Sequence, residues 1–162
     1  MSDFPLDEER ANKAYETLVK YLAGSARSEQ ECKDKLYDKG FHKSEVDFAI
    51  DKAKSYRYVD DEEYVRTFLL FNKSRYGVRK IVYKLTAEKG VDKQKVEDIV
   101  YDEIDDDFEV ELAEKFAQKF VKSKKIADKS DAKKVGAHLF QKGFDWRIID
   151  KVMSKLFDVY ED

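Results

Sequence analysis

Cysteine occurs once in the 162 residues, at Cys32, so no internal disulfide can form and no cysteine cluster can hold zinc. A reducing compartment is expected, with Cys32 a packed or half-exposed small residue. Proline is confined to Pro5, and six glycines are too few for the many tight turns that a sheet protein needs. Helix is therefore the expected state. No apolar run approaches the roughly 18–20 residues of a membrane span, and the start, Met1-Ser2-Asp3-Phe4, has no basic segment followed by an apolar one. These absences predict a cytoplasmic protein with no membrane partner. The two histidines, His42 and His138, are far apart and lack a metal-spaced or acid–base neighbour, so both are expected to be structural. No nucleophile elbow, zinc motif, phosphate loop or paired catalytic carboxylates can be recognised. A non-enzymatic protein without metal, cofactor or small-molecule substrate is expected.

What the chain does have is charge, at 41% of residues, and aromatic side chains, at 14%. That mixture suits amphipathic helices with solvated outer faces and aromatic inner ones, and it does not suit disorder. The net charge of −3 argues against coating nucleic acid through an overall field, so any such contact must come from a local patch.

The chain also repeats itself. Lys35-Leu-Tyr-Asp-Lys-Gly-Phe41, Lys84-Leu-Thr-Ala-Glu-Lys-Gly-Val91 and His138-Leu-Phe-Gln-Lys-Gly-Phe144 each end a leucine-bearing segment with Lys-Gly and an apolar residue. The glycines Gly40, Gly90 and Gly143 recur about every fifty residues. Val46, Val96 and Ile149 follow them at equal offsets, as do Ile50, Val100 and Met153, which places each pair on one helical face. Lys-Gly at this point is a helix stop, with glycine in the left-handed cap and the next apolar residue folded back. The second copy carries one more residue between its leucine and its glycine than the other two.

Each repeat divides into three helices. In the first, residues 7–23 turn Ala14, Leu18, Tyr21 and Leu22 inward, Ser28-x-x-Glu31 is a capping box opening a helix to Lys39, and a third helix runs from about Ser44 to Tyr56. The second opens at Asp60-Asp61-Glu62-Glu63 and carries Tyr64, Phe68, Leu69 and Phe71 inward. A helix with Ile81, Val82 and Leu85 follows Gly77, and another runs from Asp92 to near Ile104. The third opens at Asp105-Asp106-Asp107 with a helix to about Lys125, followed by helices from Ser130 to Lys142 and from Asp145, beside which Trp146 packs, to Asp158. The aspartates are helix caps, since neither run has the alternating ligands and glycine of a calcium loop. The predicted fold is all-α, with about nine helices in three tandem repeats over residues 7–57, 58–104 and 105–158, stacked into an elongated, curved array.

The stretch Tyr58-Val-Asp-Asp-Glu-Glu-Tyr-Val-Arg-Thr-Phe68, then Arg75-Tyr-Gly-Val-Arg-Lys-Ile81 and Leu85 with Lys89-Gly90, resembles the central signature of the RecX family. Ala14 to Leu22, Ser28-x-x-Glu31, Lys35-Leu36 and Lys39-Gly40-Phe41 are similar to that family's first repeat. The likeness extends over roughly residues 10–157, and its structural markers are Gly40, Asp60, Asp61, Tyr64, Gly77, Gly90 and Gly143. The resemblance implies a nine-helix regulatory protein of recombination and DNA repair. By the same resemblance it binds the RecA recombinase on its DNA filament, along the filament's groove, and restrains filament growth and strand exchange. A helical-repeat adaptor or direct DNA binder without a recombinase role is the alternative reading.

Contacts with a partner are expected where charge is uneven. From Asn72 to Lys95 eight basic residues face two acidic ones, a local charge of about +6; from Asp102 to Glu114 there is no lysine or arginine; from Lys115 to Lys134 the chain is basic again. Arg75-Tyr76-Gly77-Val78-Arg79-Lys80 combines bidentate donors with an exposed stacking ring at a flexible junction. The candidate contact residues are Lys73, Arg75, Tyr76, Arg79, Lys80 and Lys84 at the centre, with Lys119, Lys122, Lys124, Lys125, Lys133 and Lys134 in the third repeat.

Overall fold

The computed structural model describes residues 5–124 and 131–157, and among these every regular element is a helix. The first repeat comprises α1 (Glu8–Gly24), α2 (Glu29–Asp38) and α3 (Lys43–Ser55). The second has α4 (Asp61–Asn72), α5 (Val78–Tyr83), which continues into a π-helical turn over Lys84–Glu88, and α6 (Lys93–Glu103). The third has α7 (Asp106–Lys124), α8 (Ala132–Gln141) and α9 (Trp146–Leu156). Among the described residues the architecture is thus nine α-helices in tandem three-helix repeats. No helix among the described residues is long and apolar enough to cross a membrane.

Helix starts follow their capping chemistry. Asp7 accepts from the Arg10 amide at 3.2 Å, and the Ser28–Glu31 capping box closes in both directions, at 3.2 and 3.1 Å. Asp60, Asp92, Asp105 and Asp145 each accept from the amide three residues on. Asp61 departs from this pattern. Its carboxylate accepts from the Glu29 amide at 2.8 Å, so it caps the start of α2, thirty-two residues upstream, while Asp60 caps α4.

Helix ends follow the glycines. Gly40, Gly90 and Gly143 have φ of +92°, +68° and +104°. Phe41 and Phe144 fold back to donate to the carbonyls of Leu36 and Leu139, both at 3.2 Å, which is the six-to-one bond of a Schellman cap. In the second repeat the corresponding bond, from the Val91 amide to the Leu85 carbonyl at 3.0 Å, spans one residue more. The π turn at Lys84–Glu88 is the backbone's solution to that extra residue.

One expectation for α4 is corrected. Val65 and Leu69 are buried and Phe68 is half-buried, but Phe71 is 71% exposed and sits beside Leu70, which is 70% exposed. Val65 and Leu69, four residues apart, define the inward face; Phe71 falls about 140° from its centre at 100° per residue.

Two compact units emerge from the packing, Met1–Thr67 with Leu85–Val96, and Phe68–Lys84 with Glu97–Asp162. In the first, Ala14 and Leu18 of α1 meet Val46, Ala49, Ile50 and Ala53 of α3, with Cys32 and Leu36 of α2 closing the core. Cys32 is fully buried, and burial pushes its thiol up to about 12, so it is an inert packing group. Arg10 holds the α2–α3 junction: its guanidinium donates to the buried Glu45 carboxylate at 3.1 Å and to the Gly40 carbonyl at 2.9 Å. Glu45 completes the arrangement by accepting from the His42 amide at 3.0 Å. In the second unit Ala113 and Ala117 of α7 admit α8 and α9 closely, and Val135, Leu139, Phe144, Ile148, Ile149 and Val152 fill the interior.

Candidate partner-binding surface

The central candidates lie in the second unit, on the segment from the end of α4 through α5. Asn72 ends α4 by donating from its side chain to the Phe68 carbonyl at 2.9 Å, and the Arg75 amide turns back to the Asn72 carbonyl at 2.9 Å. Tyr76 precedes the extended N-cap Gly77, and Lys80 of α5 and Lys84 of the π turn reach back to its ring. The ammonium groups of Lys80 and Lys84 lie 5.2 and 5.1 Å from the centre of the Tyr76 ring, and the Arg75 guanidinium lies 5.8 Å away. Three cations around one ring are held by its quadrupole, each contact worth roughly 0.5–1 kcal/mol at an exposed site. The ring is consequently half-buried, where the sequence predicted an exposed stacking surface.

The junction at Gly77 is also different from the flexible link expected. Gly77 is buried, its amide donates to the Lys142 carbonyl at 2.9 Å, and the Arg79 amide donates to the Gly143 carbonyl at 3.0 Å. A Cβ on Gly77 would lie 2.4 Å from the Gly143 carbonyl carbon, and one on Gly143 would lie 2.3 Å from the Lys80 Cβ. The start of α5 and the cap of α8 therefore touch backbone to backbone, at a distance only two glycines permit. Arg79 is drawn into the same junction. Its guanidinium donates to the Phe140 carbonyl and lies 4.0 Å over the Phe140 ring, which stacks on Trp146 at 5.1 Å. Trp146 itself remains 54% exposed.

Glu109 of α7 caps α5 from a distance, its carboxylate accepting from the Val78 amide at 2.8 Å in a buried setting. Burial raises its pKa, and the Val78 amide and nearby Arg147 oppose that rise. Glu109→Ala would leave the Val78 amide buried without its acceptor, at a cost of about 1–3 kcal/mol. The expected result is a lower chemical-denaturation midpoint, with Glu109→Gln, whose amide oxygen can still accept, recovering most of it.

The third-repeat candidates divide. Lys119, Lys122 and Lys124 are exposed on α7, Lys133 and Lys134 are exposed at the start of α8, and Lys134 pairs with Asp131 at 3.2 Å. Lys125 lies outside the described residues. Lys119 lines a hollow together with Ser74 of the central segment. This hollow, of about 300 Å³, is also bordered by Phe108, Glu111, Leu112, Lys115 and Phe116. A second hollow, of about 200 Å³, continues past Phe116 and Lys119 to Phe120, Ser123, His138 and Lys142. Lys73 reaches over the Phe108 ring at 5.5 Å, and Lys142 lies 5.8 Å from that of Phe116. His138 stacks on Phe120 at 4.3 Å, and burial, helped by Lys142 and Lys124, lowers its pKa.

Sequence reasoning passed over this groove. Its signal was present as Phe108, Leu112, Phe116 and Phe120 at a spacing of four, with Lys115 and Lys119 beside them. Those residues read equally well as core, and Leu112, Phe116 and Phe120 do pack against it. Among the described residues no group of three or more His, Cys, Asp or Glu is placed to hold a metal ion.

Known proteins agree with this architecture. Residues 14–52 match the family described as RecX, first three-helix domain, and residues 106–153 match RecX, third three-helix domain. The chain is 34% identical over 163 residues to the regulatory protein RecX of Clostridioides difficile (strain 630), covering 96% of this chain and 74% of that protein. It is 30% identical to the regulatory protein RecX of Clostridium botulinum (strain Eklund 17B / Type B), over 92% of this chain and 72% of the relative. The crystal structure of RecX from Lactobacillus salivarius superposes with a TM-score of 0.83 at 25% identity, covering 93% of this chain and 98% of that one. A second crystal structure, of a regulatory protein RecX, has a TM-score of 0.78 at 23% identity and shares the fold. Fold and surface together define a tandem helical-repeat protein with a cation-rich aromatic face. The chain belongs to the RecX family of regulatory proteins.

Proposed function

We propose that this protein binds the RecA recombinase on its DNA filament and restrains filament assembly, ATP hydrolysis and strand exchange, acting in the cytoplasm without catalysis of its own. Membership of the RecX family carries the reading. The repeats over 7–57, 58–104 and 105–158 would serve as successive contact modules. The contact surface proposed is the ladder of Tyr76 with Arg75, Lys80 and Lys84, extended by Lys73 and Lys119; Lys122, Lys124, Lys125, Lys133 and Lys134 are outlying contacts. Arg79, already engaged by Phe140, acts chiefly through the junction it helps to build.

The test adds the protein to RecA, single-stranded DNA and ATP and follows ATP hydrolysis and strand exchange. Both rates are expected to fall with increasing protein, and no effect at saturation would overturn the reading. The variant R75E/K80E/K84E is expected to weaken the effect at least tenfold while keeping its helical circular dichroism. If the protein instead bound naked DNA as tightly as the filament, with log affinity falling by about 0.9 per phosphate contact against log salt, direct DNA binding would replace the filament reading.

A further inference from the structure

The groove along α7 shares Lys73 and Lys119 with the filament reading, but its apolar floor, Lys115 and Lys142 are left unused by it. Its floor is Phe108, Leu112, Phe116 and Phe120, one residue per turn over about 18 Å at 1.5 Å rise per residue. Its rim carries Lys73, Lys115, Lys119 and Lys142 against one lining carboxylate, Glu111, which lies 3.8 Å from Lys115. An apolar floor one helical stripe long, edged almost entirely by cations, is complementary to a helix with apolar residues four apart and carboxylates on its flanks.

We propose that this groove docks an acidic amphipathic helical segment of a partner protein, laid along α7 with its apolar stripe on Phe108–Phe120 and its carboxylates on the four lysines. Nucleic acid suits the groove less well. Bases need bare ring faces to stack on, whereas Lys73 lies over Phe108, Phe144 and Lys142 lie against Phe116, and His138 is stacked on Phe120. A phosphate backbone would moreover leave the apolar floor facing water. The proposal shares Lys73 and Lys119 with the filament reading but is separable from it, because it rests on the apolar floor with Lys115 and Lys142 and on a direct binary contact.

Fluorescence anisotropy with the full chain tests it, using an 18-residue fluorescein-labelled peptide with leucine every fourth position and glutamate on the flanks. Companion probes replace the glutamates with lysine or the leucines with serine, and a labelled dT18 oligonucleotide stands for nucleic acid. The acidic leucine peptide is expected to bind at least tenfold tighter than each companion. K115E/K119E, which alters two exposed residues, is expected to weaken it at least tenfold with an unchanged melting curve. Equal binding of the glutamate and lysine peptides, no response to K115E/K119E, or tighter binding of dT18 would each sink the proposal. RecA-dependent ATP hydrolysis is read separately with R75E/K80E/K84E, so a failed groove leaves the filament reading intact, and the converse also holds.

Discussion

Gly77→Ala is expected to lower the melting temperature by roughly 6–12 °C, corresponding to about 3 kcal/mol at 2–4 °C per kcal/mol for a chain of this size. The added methyl would meet the Gly143 carbonyl carbon at 2.4 Å and the Phe144 amide nitrogen at 2.5 Å. Both are backbone atoms, so neither can swing aside as a side-chain tip would. The start of α5 must lift from the α8 cap, and the hydrogen bonds from the Gly77 and Arg79 amides go with it. Gly40→Ala provides the contrast. Gly40 shares the Lys-Gly-Phe pattern of Gly143, but nothing lies within 4 Å of its missing Cβ. Its cost is the left-handed backbone alone, about 1–2 kcal/mol. Amide hydrogen exchange separates the two: Gly77→Ala is expected to lose protection in α5, α8 and α9, and Gly40→Ala in α2 and α3. Comparable melting temperatures for both variants would show that the close approach at Gly77 is slack.

Phe144→Ala is expected to cost about 3–5 kcal/mol, the range for emptying a fully buried phenylalanine site. Phe144 has no exposed surface, and its ring meets that of Phe116 at a centroid distance of 5.9 Å. Removing it takes away packing beneath the groove as well as core volume, so binding of the acidic peptide should weaken along with stability. Phe144→Leu, which refills most of the space, is expected to recover much of the stability. Urea denaturation followed by circular dichroism gives the first quantity, and anisotropy at a temperature where the variant is folded gives the second. An unchanged denaturation midpoint for Phe144→Ala would mean that α8 and α9 can collapse into the space.

Much of this fold was legible in the sequence because its signals are local. Ser28 with Glu31, the single aspartates before α4, α6, α7 and α9, and the three Lys-Gly stops act within one turn of helix, and a pattern search reads such distances directly. What escaped depends on residues that meet only after folding. Asp61 caps α2 and Glu109 caps α5, although each also sits in the first turn of its own helix, where acids are at home anyway. Arg79 and Arg75 look alike in the sequence, yet the first is engaged by Phe140 while the second flanks Tyr76. The Phe108–Phe120 stripe escaped for another reason. A residue half in the core and half in a groove gives the same periodicity as one wholly in the core, and only the neighbouring lysines hint at the difference.

The π turn after α5 has a consequence for how such repeats change length. In an unbroken α-helix one added residue rotates every later side chain by about 100°, which would carry Gly90 and Val91 away from the cap. Here the rotation is absorbed between Lys84 and Glu88, and the glycine still arrives left-handed with the valine folded back. The segment works as a phase corrector. A helical repeat of this kind can thus gain a residue inside a helix while the position of its stop is preserved, and deletions or insertions there are a route to variation that leaves the connecting turns untouched.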